Sequence, residues 1–176
     1  VSAEKLYTGP TWHVSVDGSD DNNGSEGSPF AIIQQGIDAS SDGDTILIHP
    51  GIYEQIIDPN GKNISIIGSG GSDSTIIDYS DFFLDNDNEP IRFNSNQYYE
   101  YFSFRGITLT GKYQVDGAEP FILLGAANGQ QFIFNIDDVQ IIDNQALAIE
   151  LSTNNIILNI SNCMFRSNTN GGIHVD

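Results

Sequence analysis

The chain is poor in cysteine, in basic residues and in long apolar runs. Its single cysteine, Cys163, excludes an internal disulfide framework. No apolar stretch approaches the roughly 18 residues that a membrane-spanning helix requires, so no membrane partner is expected. Six Lys and Arg residues oppose 24 Asp and Glu residues, which gives a formal net charge of −18. Because so few cations are present to neutralise phosphates, this composition also argues against nucleic acid as a partner.

Turn-forming residues take the place of helix formers. The chain has 18 glycines among its 176 residues, many Asn, Asp and Ser residues, and few runs that would support a long helix. This length allows a sizeable core, and we expect a single domain over residues 1–176. The sequence begins at Val1 without a basic segment followed by an apolar one. We therefore expect a secreted protein whose signal peptide has been removed.

One spacing pattern, with steps of two, three and two residues, occurs three times in the second half of the chain. Its inward-type residues are Phe102, Phe104, Ile107 and Leu109, then Phe134, Ile136, Val139 and Ile141, then Leu158, Ile160, Cys163 and Phe165. Each copy predicts two short strands joined at a corner, because the backbone must bend to absorb the step of three. Cys163 is interpreted as a small buried hydrophobe. The intervening Ser103, Asn135 and Asn159 are expected to face solvent.

A third short strand is predicted after each copy, at residues 121–124, 148–151 and 172–175. The last two copies are 24 residues apart and the first two are 32 apart, as in stacked repeats. We therefore predict an all-β fold, a parallel β-helix solenoid with three strands per coil. Asn144 and Asn168 are expected to stack at one corner in the left-handed conformation.

The two ends of this predicted solenoid differ. Residues 29–40 have the apolar spacing of one short amphipathic helix, with Ser28 as the expected N-cap and Pro29 as the first helical residue. This helix would cover the N-terminal coil. The strand around Ile173 has no such cover, so its free edge predicts self-association or a further chain at the open C-terminal coil.

The N-terminal third also carries a family resemblance. Its matching segments are Val16-Asp17-Gly18-Ser19-Asp20, Ser28-Pro29-Phe30, Ile33-Gln34, Ile37-Asp38, Gly43-Asp44-Thr45-Ile46, Pro50-Gly51-Ile52-Tyr53-Glu54 and Ile64-Ser65-Ile66-Ile67-Gly68. Together they resemble the opening of secreted bacterial right-handed parallel β-helix proteins, which include pectate lyases and pectin methylesterases. The resemblance covers roughly residues 14–78. It implies a right-handed coil, as parallel crossovers generally are.

The catalytic residues that the resemblance implies are incomplete. Pectin methylesterases have a glutamine segment, which Gln-Ala-Leu-Ala at residues 145–148 fits, and then a Gln-Asp-Thr segment with a catalytic aspartate. Residues 167–170 read Ser-Asn-Thr-Asn at that place, so the acid is missing. A lyase needs a base and a group that neutralises the substrate carboxylate. Arg105, Asp137 and Lys112 are weak catalytic candidates, as outward charged groups on neighbouring coils.

Two further groups of residues suggest ligands. Clustered carboxylates suit Ca²⁺, the one cofactor that the sequence suggests. The candidate metal ligands are Asp17, Asp20, Asp21, Asp85, Asp87 and Glu89. Aromatic side chains can stack on sugar rings, and the candidate substrate-binding residues are Tyr98, Tyr99, Tyr101 and Tyr113.

These features predict a secreted β-helix module at a carbohydrate-rich surface, with polysaccharide as its partner and no complete catalytic site. One alternative is the N-terminal part of a polysaccharide lyase or carbohydrate esterase whose site lies in downstream coils. The other is a structural or adhesive cell-surface protein.

Overall fold

The computed structural model describes residues 10–80, 91–93, 97–111, 122–124, 131–144, 148–151, 155–169 and 171–175. Within these ranges the chain forms one short helix and thirteen strands. In chain order they are β1 (Thr11–Val14), α1 (Ile33–Ala39), β2 (Thr45–Ile48), β3 (Gly51–Tyr53), β4 (Ser65–Gly68), β5 (Thr75–Asp78), β6 (Ile91–Phe93), β7 (Tyr101–Thr110), β8 (Ile122–Leu124), β9 (Phe132–Ile142), β10 (Ile149–Leu151), β11 (Ile156–Ser161), β12 (Met164–Arg166) and β13 (Ile173–Val175). The described part of the chain contains no helix with the length and apolar character that crossing a bilayer requires.

The strands pair in parallel and form three rows. The first row contains β1, β2, β4, the first half of β7, the first half of β9, and β11. The second contains β3, β5, the second halves of β7 and β9, and β12. The third contains β6, β8, β10 and β13. The expectation of a mostly β fold with parallel pairing is therefore confirmed.

The predicted corner is present within β7 and β9. Gly106 and Asp138 have positive φ angles of 66° and 52°. They are skipped in the pairing of β7 with β9, in which Arg105 pairs with Asp137 and the next pair is Ile107 with Val139. Asn162, which separates β11 from β12, has a φ of 53°. One left-handed residue at each corner thus accounts for the step of three, so that every second side chain again faces the core after the corner.

Aromatic side chains fill the core beside this corner. The rings of Phe102, Phe104, Phe132 and Phe134 are fully buried. Phe93, from the third row, packs against them, with ring centroids 4.8 Å from Phe102 and 5.3 Å from Phe134. Phe102 and Phe134 are ladder partners, as the spacing pattern predicts.

The last strand of the first row, β11, and the last strand of the second row, β12, are less buried than predicted. Ile160 is 43% exposed, and Leu158 and Cys163 are only half-buried against the core. The expectation that Ile160 belongs to the buried core is therefore wrong. The physical reason is its position, because among the described residues β11 and β12 pair only with β9. Burial still raises the pKa of the Cys163 thiol, as expected for a small apolar side chain.

Two details of the predicted outer surface are also corrected. Ser103 is buried rather than exposed, because this small side chain lies in the ladder between Ser65 and Asn135. The left-handed residues of the second corner are Asp143 and Ser167, with φ of 57° and 56°, and not the asparagines that follow them.

The two corner asparagines stack through their side chains instead. Asn144 Nδ2 donates to Asn168 Oδ1 at 2.8 Å, and Asn168 Nδ2 donates to the carbonyl oxygen of Ile141 at 2.9 Å. Stacking of this pair, 24 residues apart, is thus as predicted. Glu150 and His174, also 24 residues apart, are ladder partners on β10 and β13.

Helix α1 begins at Ile33, four residues later than predicted, and Ser28 is not its N-cap. The amides at the start of α1 and of the two residues before it are satisfied by distant side chains. Asp20 Oδ1 accepts from the N–H groups of Ala31 and Ile32 at 3.1 and 3.0 Å, and Gln55 Oε1 accepts from the Ile33 N–H at 2.7 Å. An acceptor outside the helix thus replaces the local cap that the sequence suggests.

The other end of α1 is held by a single cation. Lys62 Nζ donates to the carbonyl oxygens of Asp38 and Ser40, both at 2.8 Å, and to that of Ile37. A cation at this end also complements the helix dipole. The buried face of the helix packs against Val14 of β1 and Ile46 of β2, at the N-terminal end of the first row.

We expect Phe134→Ala to lower the free energy of unfolding by about 3–5 kcal/mol, because it empties the centre of the aromatic core. Urea denaturation measures this change. Ile157→Ala is the control, since Ile157 on the neighbouring strand β11 is 40% exposed, and it should cost less than about 1 kcal/mol. Equal losses for the two variants would contradict the observed register.

Candidate functional site

Outward side chains on three neighbouring strands form a continuous polar surface. Arg105 on β7 pairs with Asp137 on β9, which pairs with Ser161 on β11. Two residues earlier on the same strands, Asn135 on β9 pairs with Asn159 on β11. We call these five residues the polar face. They lie together because parallel strands in register place equivalent positions side by side, one strand spacing apart.

Hydrogen bonds link the polar face across the strands. Asn159 Nδ2 donates to Asn135 Oδ1 at 2.7 Å. Asp137 Oδ1 accepts from Ser161 Oγ at 2.7 Å and from Asn162 Nδ2 at 2.9 Å. Arg105 Nε lies 3.5 Å from the other Asp137 oxygen. The carboxylate of Asp137 is therefore the centre of the network.

These donors hold Asp137 in its charged form. The hydrogen bonds from Ser161 and Asn162 lower the pKa of the Asp137 carboxyl, and the positive charge of Arg105 adds to the effect. A carboxyl with a lowered pKa is a weak general base and is not protonated at neutral pH. Asp137 is thus suited to accept hydrogen bonds and to orient Arg105, whose side chain is 65% exposed.

A second polar group adjoins this face, and the sequence analysis did not find it. Asp138 Oδ1 accepts from Ser72 Oγ at 2.7 Å, and Thr108 Oγ1 donates to the Ser72 carbonyl oxygen at 2.7 Å. Gln140 Nε2 donates to Ser72 Oγ at 3.1 Å and to Asp73 Oδ1 at 3.0 Å. These contacts join residues up to 68 positions apart. They fix the turn before β5 onto β7 and β9, beside the polar face.

The structure brings together only part of the predicted catalytic set. Arg105 and Asp137 are adjacent, as the repeat alignment predicts. Lys112 lies outside the described residues, as do residues 145–147 of the glutamine segment. Arg166 belongs to β12 in the second row, on a different row from Arg105. The described basic residues therefore do not form one cluster on the polar face.

The predicted calcium ligands near the N-terminus do not come together. Asp20 accepts hydrogen bonds from the two amides that directly precede α1, so its role here is structural. Asp17 and Asp21 are exposed. Among the described residues, no group of three or more His, Cys, Asp and Glu side chains could hold a metal ion. Asp85, Asp87 and Glu89 lie outside the described residues.

The predicted tyrosine platform is wrong for Tyr99. This residue is 4% exposed, and its ring packs 5.1 Å from Phe93 and 5.5 Å from Phe132 between centroids. Its face is therefore not available to a sugar. Tyr98 is 49% exposed and Tyr101 is half-buried, while Tyr113 lies outside the described residues.

Comparison with known proteins gives structural matches alone. No family model matches the chain, and no curated protein matches its sequence. A rhamnogalacturonan lyase is similar over 81% of this chain and 38% of its own, with a TM-score of 0.59 and 21% identity. A GH136 lacto-N-biosidase from Eubacterium ramulus is similar over 97% of this chain and 30% of its own, with a TM-score of 0.49 and 19% identity. The chain spans less than two fifths of either protein, and it shares the fold of the lyase over the matched part.

We expect Ser161→Ala to raise the pKa of Asp137 toward the ordinary carboxyl value of about 4, because the hydrogen bond that lowers this pKa most is lost. Because the pKa of Asp137 is lower in the folded chain than in the unfolded chain, its ionised carboxylate stabilises the fold at pH values above the unfolded pKa. That stability is lost as the pH falls through the folded value. An NMR titration of the Asp137 carboxyl carbon measures the shift.

Asn159→Ala is the matched control for this titration, since Asn159 bonds to Asn135 and not to Asp137. It should leave the Asp137 titration unchanged. A wild-type pKa at or above the ordinary value would contradict the described network.

Proposed function

We propose that the chain is a secreted, noncatalytic carbohydrate-binding module built as a right-handed parallel β-helix with three strands per coil. Three observations support the architecture. Three rows of parallel strands recur along the chain, equivalent ladder partners on β9 and β11 are 24 residues apart, and the fold is shared with a rhamnogalacturonan lyase. In this architecture α1 covers the N-terminal coil.

The polar face is the observation that carries the functional proposal. Sugar hydroxyls both donate and accept hydrogen bonds, so a surface that recognises them needs both kinds of group. The face offers the guanidinium of Arg105, the amides of Asn135 and Asn159, the hydroxyl of Ser161 and the carboxylate of Asp137. Because these groups already bond to one another, they are held in place before a ligand arrives, and less side-chain entropy is lost on binding.

Charge selects among the glycans. The formal net charge of −18 repels polyuronates such as pectate and alginate unless cations bridge them. We therefore infer a preference for neutral or weakly charged glycans. In this proposal Ca²⁺ bridges acidic glycans and surface carboxylates, and it does not occupy a site of its own.

Two features argue against turnover at this face. Asp137 has a lowered pKa and lies beside Arg105, so it is a weak base for abstracting a proton. Arg166 lies on β12 in the second row, so it does not provide a second positive charge beside Arg105. A second candidate function is the N-terminal part of a polysaccharide-degrading enzyme, because the chain matches 38% of the length of the rhamnogalacturonan lyase.

The binding test uses calorimetry with a neutral galactan, rhamnogalacturonan, pectate and alginate. We expect weak binding of the neutral galactan, with a dissociation constant of roughly 1 mM or below, and weaker binding of the three glycans that contain uronic acids. Arg105→Ala and Asn135→Ala should each weaken galactan binding by at least about fivefold, which corresponds to about 1 kcal/mol. Ile52→Ala, at an exposed position on β3 in the second row, is the control and should leave binding unchanged.

Activity is followed in the same samples through unsaturated products and released methanol. We expect neither to exceed a heat-inactivated control. Product formation would favour the enzyme alternative over a noncatalytic module. If none of the four glycans binds, the carbohydrate proposal fails and the structural or adhesive alternative replaces it.

A further inference from the structure

Two histidines on neighbouring strands face each other on the outer side of the first row. His13 lies on β1, where its ladder partner is Leu47 on β2. His49 follows directly after β2, two residues beyond Leu47, so alternation places it on the same side as His13 and diagonal to it. Both side chains are half-buried. This pair lies at the opposite end of the first row from the polar face.

The separation of the two facing ring nitrogens is close to that of two ligands on one metal ion. His13 Nδ1 lies 3.2 Å from His49 Nε2, and the ring planes are tilted by 54° with centroids 5.5 Å apart. Zinc–imidazole bonds of about 2.0–2.1 Å in a tetrahedral site place neighbouring ligand nitrogens about 3.3–3.4 Å apart. Without a metal, the same separation allows one ring to donate a hydrogen bond to the other.

Hydrogen bonds fix the main chain at both histidines. The His13 N–H donates to the Gly24 carbonyl oxygen at 2.8 Å, and the His49 N–H donates to that of Val14 at 2.8 Å. The carbonyl oxygen of His49 also accepts from the Tyr53 hydroxyl at 2.8 Å. An anchored main chain reduces the reorganisation that the two side chains need when an ion binds.

We propose that His13 and His49 form a binding site for Zn²⁺ or a similar divalent transition metal. Imidazole nitrogens suit Zn²⁺, Cu²⁺ and Ni²⁺, whereas Ca²⁺ and Mg²⁺ require oxygen ligands. The two imidazole ligands therefore distinguish this site from a calcium site. Among the described residues no third His, Cys, Asp or Glu side chain joins the pair, so in this proposal water or an outside ligand completes the coordination.

The test is a calorimetric titration of the full chain with ZnCl₂ in millimolar MgCl₂, because excess Mg²⁺ occupies surface carboxylates without competing for imidazole. We expect one Zn²⁺ per chain. His13→Ala and His49→Ala should each weaken binding at least tenfold. The chain has three histidines, so His174→Ala on β13 is the matched control and should change the affinity less than twofold.

A second readout locates the ion directly. In NMR spectra, Zn²⁺ should shift the ring resonances of His13 and His49 and leave those of His174 in place. Circular dichroism of each variant checks that it is folded. Absence of Zn²⁺ binding, or binding that both single variants retain, would overturn the proposal. Loss of binding in His174→Ala alone would also overturn it.

Discussion

A single left-handed residue at the corner between the first and second rows determines how the rest of the structure packs. Gly106 and Asp138 occupy this position within β7 and β9, and Asn162 occupies it between β11 and β12. Each absorbs one residue of the alternation, so apolar side chains face inward on both sides of the corner. Without this bend, one of the two rows would direct its apolar residues to solvent, because side chains alternate strictly along a strand.

The same corner organises the outer surface. In-register pairing that places Phe102 beside Phe134 also places Arg105 beside Asp137 and Ser161. The polar face is therefore a direct consequence of the packing of the core. Asp138 also connects distant parts of the chain, because its carboxylate accepts a hydrogen bond from Ser72, 66 residues away, and so holds that turn against the corner. Fold and candidate site thus depend on the same few backbone positions.

Much of this arrangement is predictable from the sequence, because alternation and repeat spacing are local signals. The pairing of β7, β9 and β11 follows from the spacing of Phe102, Phe134 and Leu158. Contacts between distant side chains leave no such signal. Asp20 satisfies amides eleven and twelve residues away, directly before a helix that begins four residues later than its sequence suggests.

Tyr99 shows another limit of sequence reasoning. Its place in a tyrosine-rich segment suggests a surface platform, but its ring packs against Phe93 from the third row. The contact between His13 and His49 is similar, because the residues are 36 positions apart and no repeat relates them. Both features depend on how strands from different parts of the chain are brought together in space.

The most direct measurement of the central claim is the unfolding free energy of Gly106→Ala. A β-carbon at Gly106 would lie 2.7 Å from the carbonyl oxygen of Gly68, and the φ of 66° is unfavourable for alanine. We expect a loss of at least about 2 kcal/mol. Gly27→Ala meets no atom within 4 Å and should change stability by less than about 1 kcal/mol. Urea denaturation showing equal stability for the two variants would contradict a corner that depends on a left-handed residue.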